Sequence, residues 1–280
     1  MHGLGAGDCK GSVVAFLLGM LLARERGVDL TALPAAVGIC VDEEELGRGS
    51  IVMADALAPR HVIAGEPSRL DVGVAEAGFV DVRLSVRGAA VHGAFAELGD
   101  NAIEKAARLV LAVHDEPFAQ QTHPMLGRGV PSVMRFEGGS ELHVIPDRAS
   151  LRLEVRVVPG ERSAAAIEGR VRELAEAYDA DLELVEQSVE PFETPGDAPV
   201  LLALRSALER ETGGPATELG VPAWTDAHNF VDRSGSQAVV WGPGDFELAH
   251  HPDERVAIDE VATAARVVAA VLEQAGGWLR

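Results

Sequence analysis

Basic residues are scarce in this chain of 280 residues: 24 Lys and Arg stand against 44 Asp and Glu, a formal charge of -20. Such an excess repels phosphate backbones and anionic lipid, which excludes nucleic acid and a membrane surface as partners. It suits either a plain solubilising surface or a cavity that collects metal cations, and only the placement of the carboxylates separates the two. Cysteine is scarcer still. Cys9 and Cys40 cannot build a disulfide framework, and no basic segment followed by an apolar one and a small-residue cleavage site opens the chain, so a cytoplasmic address is expected. Long apolar runs are absent too. The longest, 13–23, is interrupted by Gly19 and falls short of the roughly 18 residues that span a bilayer, so it reads as a buried helix. There is no internal repeat and no low-complexity tract. What is present is 47% apolar residues, enough for a real core in one large domain or two modest ones.

The patterning changes twice along the chain. Helical spacing over 12–26 and 50–57 alternates with strand-like runs over 36–41 and 61–64. The unbroken apolar run Val37-Gly38-Ile39-Cys40-Val41 implies burial on both faces, as in a parallel sheet. From Gly78 onward, alternation over 79–86, helical spacing over 101–113, alternation over 132–136 and 150–158, a helix over 163–178 with Ser163 as N-cap and a strand over 181–185 give the order β-α-β-β-α-β. That is the ferredoxin-like arrangement, with a one-sided sheet. After Pro199 come helices over 200–211 and 226–232, a strand over 237–241 and a closing helix over 258–275. The expected organisation is an α/β domain split in sequence, 1–77 and 190–280, around an inserted α+β domain, 78–189.

The acidic and imidazole side chains with chemical potential fall in loops at strand ends, where α/β proteins place their sites. Asp8 lies in a glycine-rich turn that leads into a helix and is either an N-cap or a ligand. Asp42-Glu43-Glu44-Glu45 follows a strand; four adjacent carboxylates repel one another unless solvated or bound to cations, so this is either an exposed acidic turn or a metal cradle. Glu66 is held extended by the following Pro67. His250 and His251 sit in a loop bounded by Pro252. Each alone is an ordinary surface feature. Together Asp8, Glu44, Glu66 and His250 are a set of oxygen and imidazole donors that suits zinc, cobalt or manganese.

The ordered series Gly-Asp-Cys-Lys-Gly, Asp-Glu-Glu-Glu-Leu-Gly-Arg-Gly, Gly-Glu-Pro-Ser, Gly-Ala-Ala-Val-His-Gly, Val-Ile-Pro-Asp, Arg-Val-Val-Pro-Gly-Glu, Trp-Thr-Asp-Ala, and Gly-Pro-Gly-Asp followed by Ala-His-His-Pro-Asp-Glu runs through essentially the whole chain. It resembles the acetylornithine deacetylase, succinyl-diaminopimelate desuccinylase and carboxypeptidase G family of co-catalytic zinc hydrolases. The resemblance implies a zinc-exopeptidase-like, mostly parallel sheet with helices on both faces, and a ferredoxin-like lid through which two copies form a homodimer. It implies that Asp8 bridges two zinc ions, that Glu44 and His250 complete one and Glu66 helps hold the other, and that Glu43 is the general base taking a proton from the shared water. Two such cations acidify that water and stabilise the oxyanion of the amide adduct. By the same resemblance His92 polarises the scissile carbonyl, Arg156 clamps a substrate carboxylate, and Thr225, Asp226, Gly242 and Gly244 line the substrate pocket, with backbone N–H groups of the glycine loop open to a carboxylate. Cys9 beside Asp8 is expected to pack rather than ligate.

Two departures bear on activity. His143 stands before Val-Ile-Pro-Asp where the family often has Asn, and the family's further histidine ligand, in a His-x-Asp segment upstream, has no counterpart, because Met1 is only seven positions before Asp8 and His2 lacks a partnering Asp. The resemblance therefore implies that the N-terminal part is lacking, that an apolar sheet edge and helix face lie open, and that the metal held by Asp8 and Glu66 loses its imidazole, leaving open two zinc ions or a single-metal, slow or inactive form. The expected function is hydrolysis of amide bonds in N-acylated amino acids or related small carboxylates. The alternatives are a dipeptidase or carboxypeptidase of the same family and, from another class, a non-catalytic dimeric remnant.

Overall fold

The computed structural model describes residues 1–139, 143–160 and 162–278; Glu161, which closes the Arg-Val-Val-Pro-Gly-Glu motif, lies outside them. In chain order the elements are α1 (Gly11–Glu25), α2 (Arg48–Leu57), β1 (His61–Ala64), β2 (Val72–Glu76), β3 (Gly78–Arg87), α3 (Ala102–His114), β4 (Thr122–His123), β5 (Gly127–Arg128), β6 (Pro131–Gly138), β7 (Arg148–Val157), α4 (Ala164–Ala177), β8 (Ala180–Leu184), β9 (Phe192–Glu193), α5 (Pro199–Thr212), β10 (Glu218–Val221), α6 (Asp226–Ser234), β11 (Gln237–Val240) and α7 (Ile258–Trp278). They divide into two units, one made of Met1–Ala75 with Glu193–Arg280 and one of Glu76–Phe192.

The discontinuous unit is α/β. Its sheet runs in the order β1-β11-β2-β10, with β1 parallel to β11 from His61 opposite Gln237 to Ala64 opposite Val240, and β11 antiparallel to β2. Val72, Val74 and Val239 from the strands, and Trp241 directly after β11, pack with Leu201 and Leu204 of α5 and with Val261, Ala264 and Val267 of α7. Pro199 opens α5 at a position whose N–H would have no partner in the helix anyway. β2 and β10 are strands that the periodicity did not single out.

Two sequence expectations are corrected in this unit. The apolar stretch 36–41 forms no strand; Ile39 and Val41 are exposed, and no described strand pairs with the segment. Hydrophobicity alone does not make a strand where no neighbour takes up its backbone donors and acceptors. The helix expected to be buried, α1, is one-sided. Ser12, Ala15, Gly19 and Ala23 recur every three or four residues and form its buried stripe, while Val14, Leu17, Leu18 and Leu21 are exposed. Small residues take the buried face because α1 lies close to α7: a Cβ added at Gly19 would stand 2.5 Å from Val268 Cβ and 2.9 Å from the Ala265 carbonyl oxygen. Together with the preceding turn, the run Ala6–Glu25 is long and apolar enough, by length and composition, to cross a bilayer, a property it shares with core helices of soluble proteins.

The continuous unit carries an antiparallel sheet in the order β6-β7-β3-β8, which with α3 and α4 is the ferredoxin-like order. Val80, Val82, Leu84 and Val86 alternate along β3 and meet Leu151, Leu153, Val155 and Val157 of β7 on the face that Leu109 of α3 and Ile167 and Val171 of α4 cover. Asn101 caps α3 by accepting from the Ile103 and Glu104 N–H groups, and Ser163 caps α4 by accepting from Ala166 N–H. Glu190 adds acceptors for Ala164 and Ala165 at the same helix start. The other sheet face is charged, with Arg152 bidentate to the buried Asp81 carboxylate through Nε at 3.0 Å.

Candidate metal centre

Three chain segments of the discontinuous unit bring their donors together. Asp8 Oδ, Glu44 Oε and His250 Nε2 all lie within 4.8 Å of one another. His250 Nε2 is 2.9 Å from Glu44 and 3.4 Å from Asp8 Oδ2. Among the described residues this is the one cluster of three or more potential ligands so placed.

Local structure explains how each arrives. Asp8 sits in the five-residue turn Ala6–Lys10 that runs into α1, after Gly5 in the left-handed region. Asp42 turns the acidic segment: its own φ is 69°, its carbonyl accepts from Leu46 and Gly47, and its carboxylate pairs with Arg48, Nε to Oδ2 at 2.6 Å. The four adjacent carboxylates are thereby parted, Asp42 being neutralised by Arg48 while Glu44 faces His250. Neither alternative read from the sequence, solvated turn or cradle, covers the whole segment. His250 itself has φ 60°, a left-handed conformation that costs a non-glycine residue of order 1 kcal/mol and is met mostly where surrounding structure enforces it.

The electrostatics of the cluster follow from its burial and crowding. Burial, then Glu44, raise the Asp8 carboxyl above its ordinary value, with His250 pulling the other way. Burial pushes the Glu43 carboxyl up to about 7, with further upward contributions from Asp226, Glu44 and Asp8. His250 is raised by its hydrogen bond to and the charge of Glu44. Carboxylates gathered beside an imidazole form a negative site in which a divalent cation would offset their mutual repulsion. Two carboxylates and an imidazole suit zinc.

Glu66 is buried but is not part of the three-donor cluster. It lines, with Cys9, Glu43 and Asp226, a cleft of about 600 Å³ whose remaining wall is largely apolar and includes Phe16 and Trp241. The Cys9 thiol is pushed up to about 12 by burial and then by the charges of Glu66, Asp8 and Glu43. The Asp226 carboxylate accepts from Ser50 Oγ, and burial raises it despite that bond and one from Cys40. Thr225 is the N-cap of α6, accepting from Ala227 N–H at 3.2 Å.

One expectation is overturned here. The N–H groups of Gly242 and Gly244 are not open to a substrate carboxylate: Gly242 donates to Ser68 Oγ at 3.1 Å and Gly244 to Glu260 Oε2 at 2.9 Å, and both residues are buried. Their glycine character serves close packing, since a Cβ at Gly242 would run into Ser12 Oγ and come 2.6 Å from the Glu66 carbonyl oxygen. In the continuous unit, exposed His92 caps the short helix Gly93–Leu98 by accepting from Ala94 N–H at Nδ1, and Arg156 is paired with Glu154 at 2.9 Å.

Two residues were missed by sequence reasoning. Asn229, buried on α6, donates to Ser50 Oγ at 2.8 Å and Gly47 O at 3.4 Å, tying the acidic turn to that helix. Glu254, buried, accepts from three backbone N–H groups around Asp8. Its position four residues after His250, in the last of the motifs, was the available signal.

Comparison with known proteins places these features in a family. The family model described as peptidase family M20/M25/M40 matches residues 1–274. A putative succinyl-diaminopimelate desuccinylase DapE of Mycobacterium tuberculosis is 32% identical over 275 residues, covering 94% of this chain and 73% of the relative. An acetylornithine deacetylase of Myxococcus xanthus is 30% identical, covering 99% and 73%. Among solved structures, an M20 family metallo-carboxypeptidase from Sulfolobus solfataricus superposes with a TM-score of 0.74 at 15% identity, covering 98% of this chain and 77% of that one, a likeness of fold.

Proposed function

The chain belongs to peptidase family M20/M25/M40 and is a hydrolase of linear amide or peptide bonds, and from that premise we propose that it is a zinc-dependent hydrolase of N-acylated amino acids or similar small carboxylates. The observation that carries the proposal is the convergence of Asp8, Glu44 and His250, with Glu43, the residue before Glu44, lining the cleft.

Asp8, Glu44 and His250 would hold one zinc ion. Bound there, zinc supplies a Lewis acid that makes water acidic and steadies the charge developing on the amide oxygen. Glu43 does the proton work: its carboxylate takes a proton from the attacking water as the new C–O bond forms, and gives it to the departing amine as the C–N bond breaks. Asp226, which accepts from Ser50 Oγ, lines the same cleft as Glu43. Glu66 lies close enough to Cys9 to raise its thiol, and we assign it to a second, more weakly held cation. His92 and Arg156 keep the assignments made by resemblance, carbonyl polarisation and carboxylate capture. A homodimer through residues 78–189 belongs to the same proposal and is supported by edge strand β6, which exposes Met134 and Phe136. A cytoplasmic location is in keeping with the free Cys9 and Cys40.

The test is metal analysis with turnover. One tightly held zinc per chain is expected, with hydrolysis of N-acetyl or N-succinyl amino acids that chelation abolishes and zinc restores. Dipeptide turnover in place of N-acyl turnover would move the assignment to a dipeptidase; a zinc-loaded protein inert on both panels would leave the non-catalytic dimer.

A further inference from the structure

From the arrangement of one buried carboxylate between two ligand turns, we infer that Glu254 is a positioning residue for the metal centre, holding the Asp8 turn in the conformation that presents its carboxylate to Glu44 and His250. The inference rests on the assignment of Asp8, Glu44 and His250 as metal ligands. Glu254 Oε1 accepts from Gly7 N–H at 2.9 Å and Asp8 N–H at 3.1 Å, and Oε2 accepts from Gly5 N–H at 2.9 Å. Three donors from a four-residue stretch of backbone thus close on one side chain that is 2% exposed. Neutral helix caps use a single oxygen for one or two N–H groups; a carboxylate with three is a stronger and more directional clamp.

Glu254 belongs to the other ligand turn as well. Its own N–H donates to the His251 carbonyl at 2.9 Å, closing the turn that directly follows His250, and its carbonyl accepts from Gly3 N–H at 3.0 Å. Met1 and Val256 exchange backbone bonds beside it, so the two segments are joined as a short ladder with Glu254 at its end. The approach is close: a Cβ at Gly7 would stand 3.4 Å from the Arg255 carbonyl oxygen and 3.6 Å from Glu254 Oε1. Glu254 is not in the ligand cluster, and its oxygens are occupied by amides. It acts through Asp8, fixing a ligand by its backbone in the way that carboxylates behind metal-bound histidines fix an imidazole.

The experiment compares wild type with Glu254→Gln, which keeps shape and one acceptor but turns a donor amide toward a backbone N–H, and with Glu254→Asp, which keeps charge but withdraws it. Zinc affinity is read by chelator competition, and the site by the absorption spectrum of the cobalt-substituted protein, alongside unfolding of the metal-free forms. The expected result is a loss of zinc affinity of about 10- to 100-fold in Glu254→Gln with altered cobalt bands, a smaller loss in Glu254→Asp, and metal-free Tm values that do not track those losses. Wild-type affinity and spectrum in a folded Glu254→Gln overturn the inference and leave the ligand assignment standing; a wild type that binds neither metal overturns both. Should both variants fail to fold, hydrogen exchange on metal-free wild type decides: protected Gly7 and Asp8 amides are required, and free exchange there overturns the clamp.

Discussion

Replacing Glu43 by Gln in the metal-free protein should stabilise it, and only above mildly acidic pH. Burial, followed by the charges of Asp226, Glu44 and Asp8, lifts the Glu43 carboxyl from an ordinary 4.5 to about 7, against a smaller pull from His250. The folded chain therefore keeps a proton over a pH range in which the unfolded chain has lost it. Stability contributed by the protonated form is fully present below about 4.5, falls as pH rises through the interval, and levels off above about 7. The full difference corresponds to about 3 kcal/mol at 1.36 kcal/mol per unit, and screening by water that reaches this half-buried side chain reduces it to about 1–2 kcal/mol. Gln has the same shape and cannot ionise. Urea unfolding in the presence of chelator should show Glu43→Gln more stable than wild type by about 1–2 kcal/mol at pH 8, with the two coinciding to within about 0.5 kcal/mol near pH 4.5. Saturating zinc should narrow the gap at pH 8, and the zinc-loaded variant should turn over about 10²- to 10⁴-fold more slowly if Glu43 is the base. A gap of the same size at both pH values, or a wild type that is the more stable at pH 8, would refute the reasoning.

Two further predictions concern the scaffold. Arg152→Ala leaves the buried Asp81 carboxylate uncompensated and should destabilise by about 3 kcal/mol, the lower end for a broken buried pair because the outer part of Arg152 faces water; a loss below about 0.5 kcal/mol in urea unfolding would show that water takes the place of the guanidinium. Gly19→Ala forces a methyl against Val268 and the Ala265 carbonyl, an overpacking cost of about 1–3 kcal/mol that the gain in helix propensity of about 1 kcal/mol offsets only in part, so Tm should fall by a few degrees; a rise in Tm would mean that α1 and α7 separate without cost.

Much of the continuous unit was readable because its signals are local. The alternation of Val80, Val82, Leu84 and Val86 has the period of a strand with one buried face, and Ser163 marks a helix start that the structure keeps. The stretch 36–41 and helix α1 depart from the sequence expectation for one reason: apolar content does not measure burial, which depends on which neighbours are there. Ile39 and Val41 have no strand beside them among the described residues, and on α1 it is Gly19, against α7, and Ala23 that are buried, not Leu17 and Leu21. The glycine loop failed differently. Gly242 and Gly244 advertise backbone N–H groups, but Ser68 and Glu260, remote in sequence, already accept them.

The letters alone determined the chemistry available: carboxylates in three turns and a late histidine, within a series of motifs that runs in order through peptidase family M20/M25/M40. They could do so because residue type and local backbone preference are properties of short segments. Tertiary structure decided which of those groups meet. It parted Asp42 from Glu44 by giving Arg48 to the first and His250 to the second, left Glu66 outside the three-donor cluster, and set Glu254 behind Asp8 across nearly the whole length of the chain. Distances between residues 200 or more positions apart, and the burial that moves a carboxyl from its ordinary range to about 7, arise only when the sheet has brought the turns to one place.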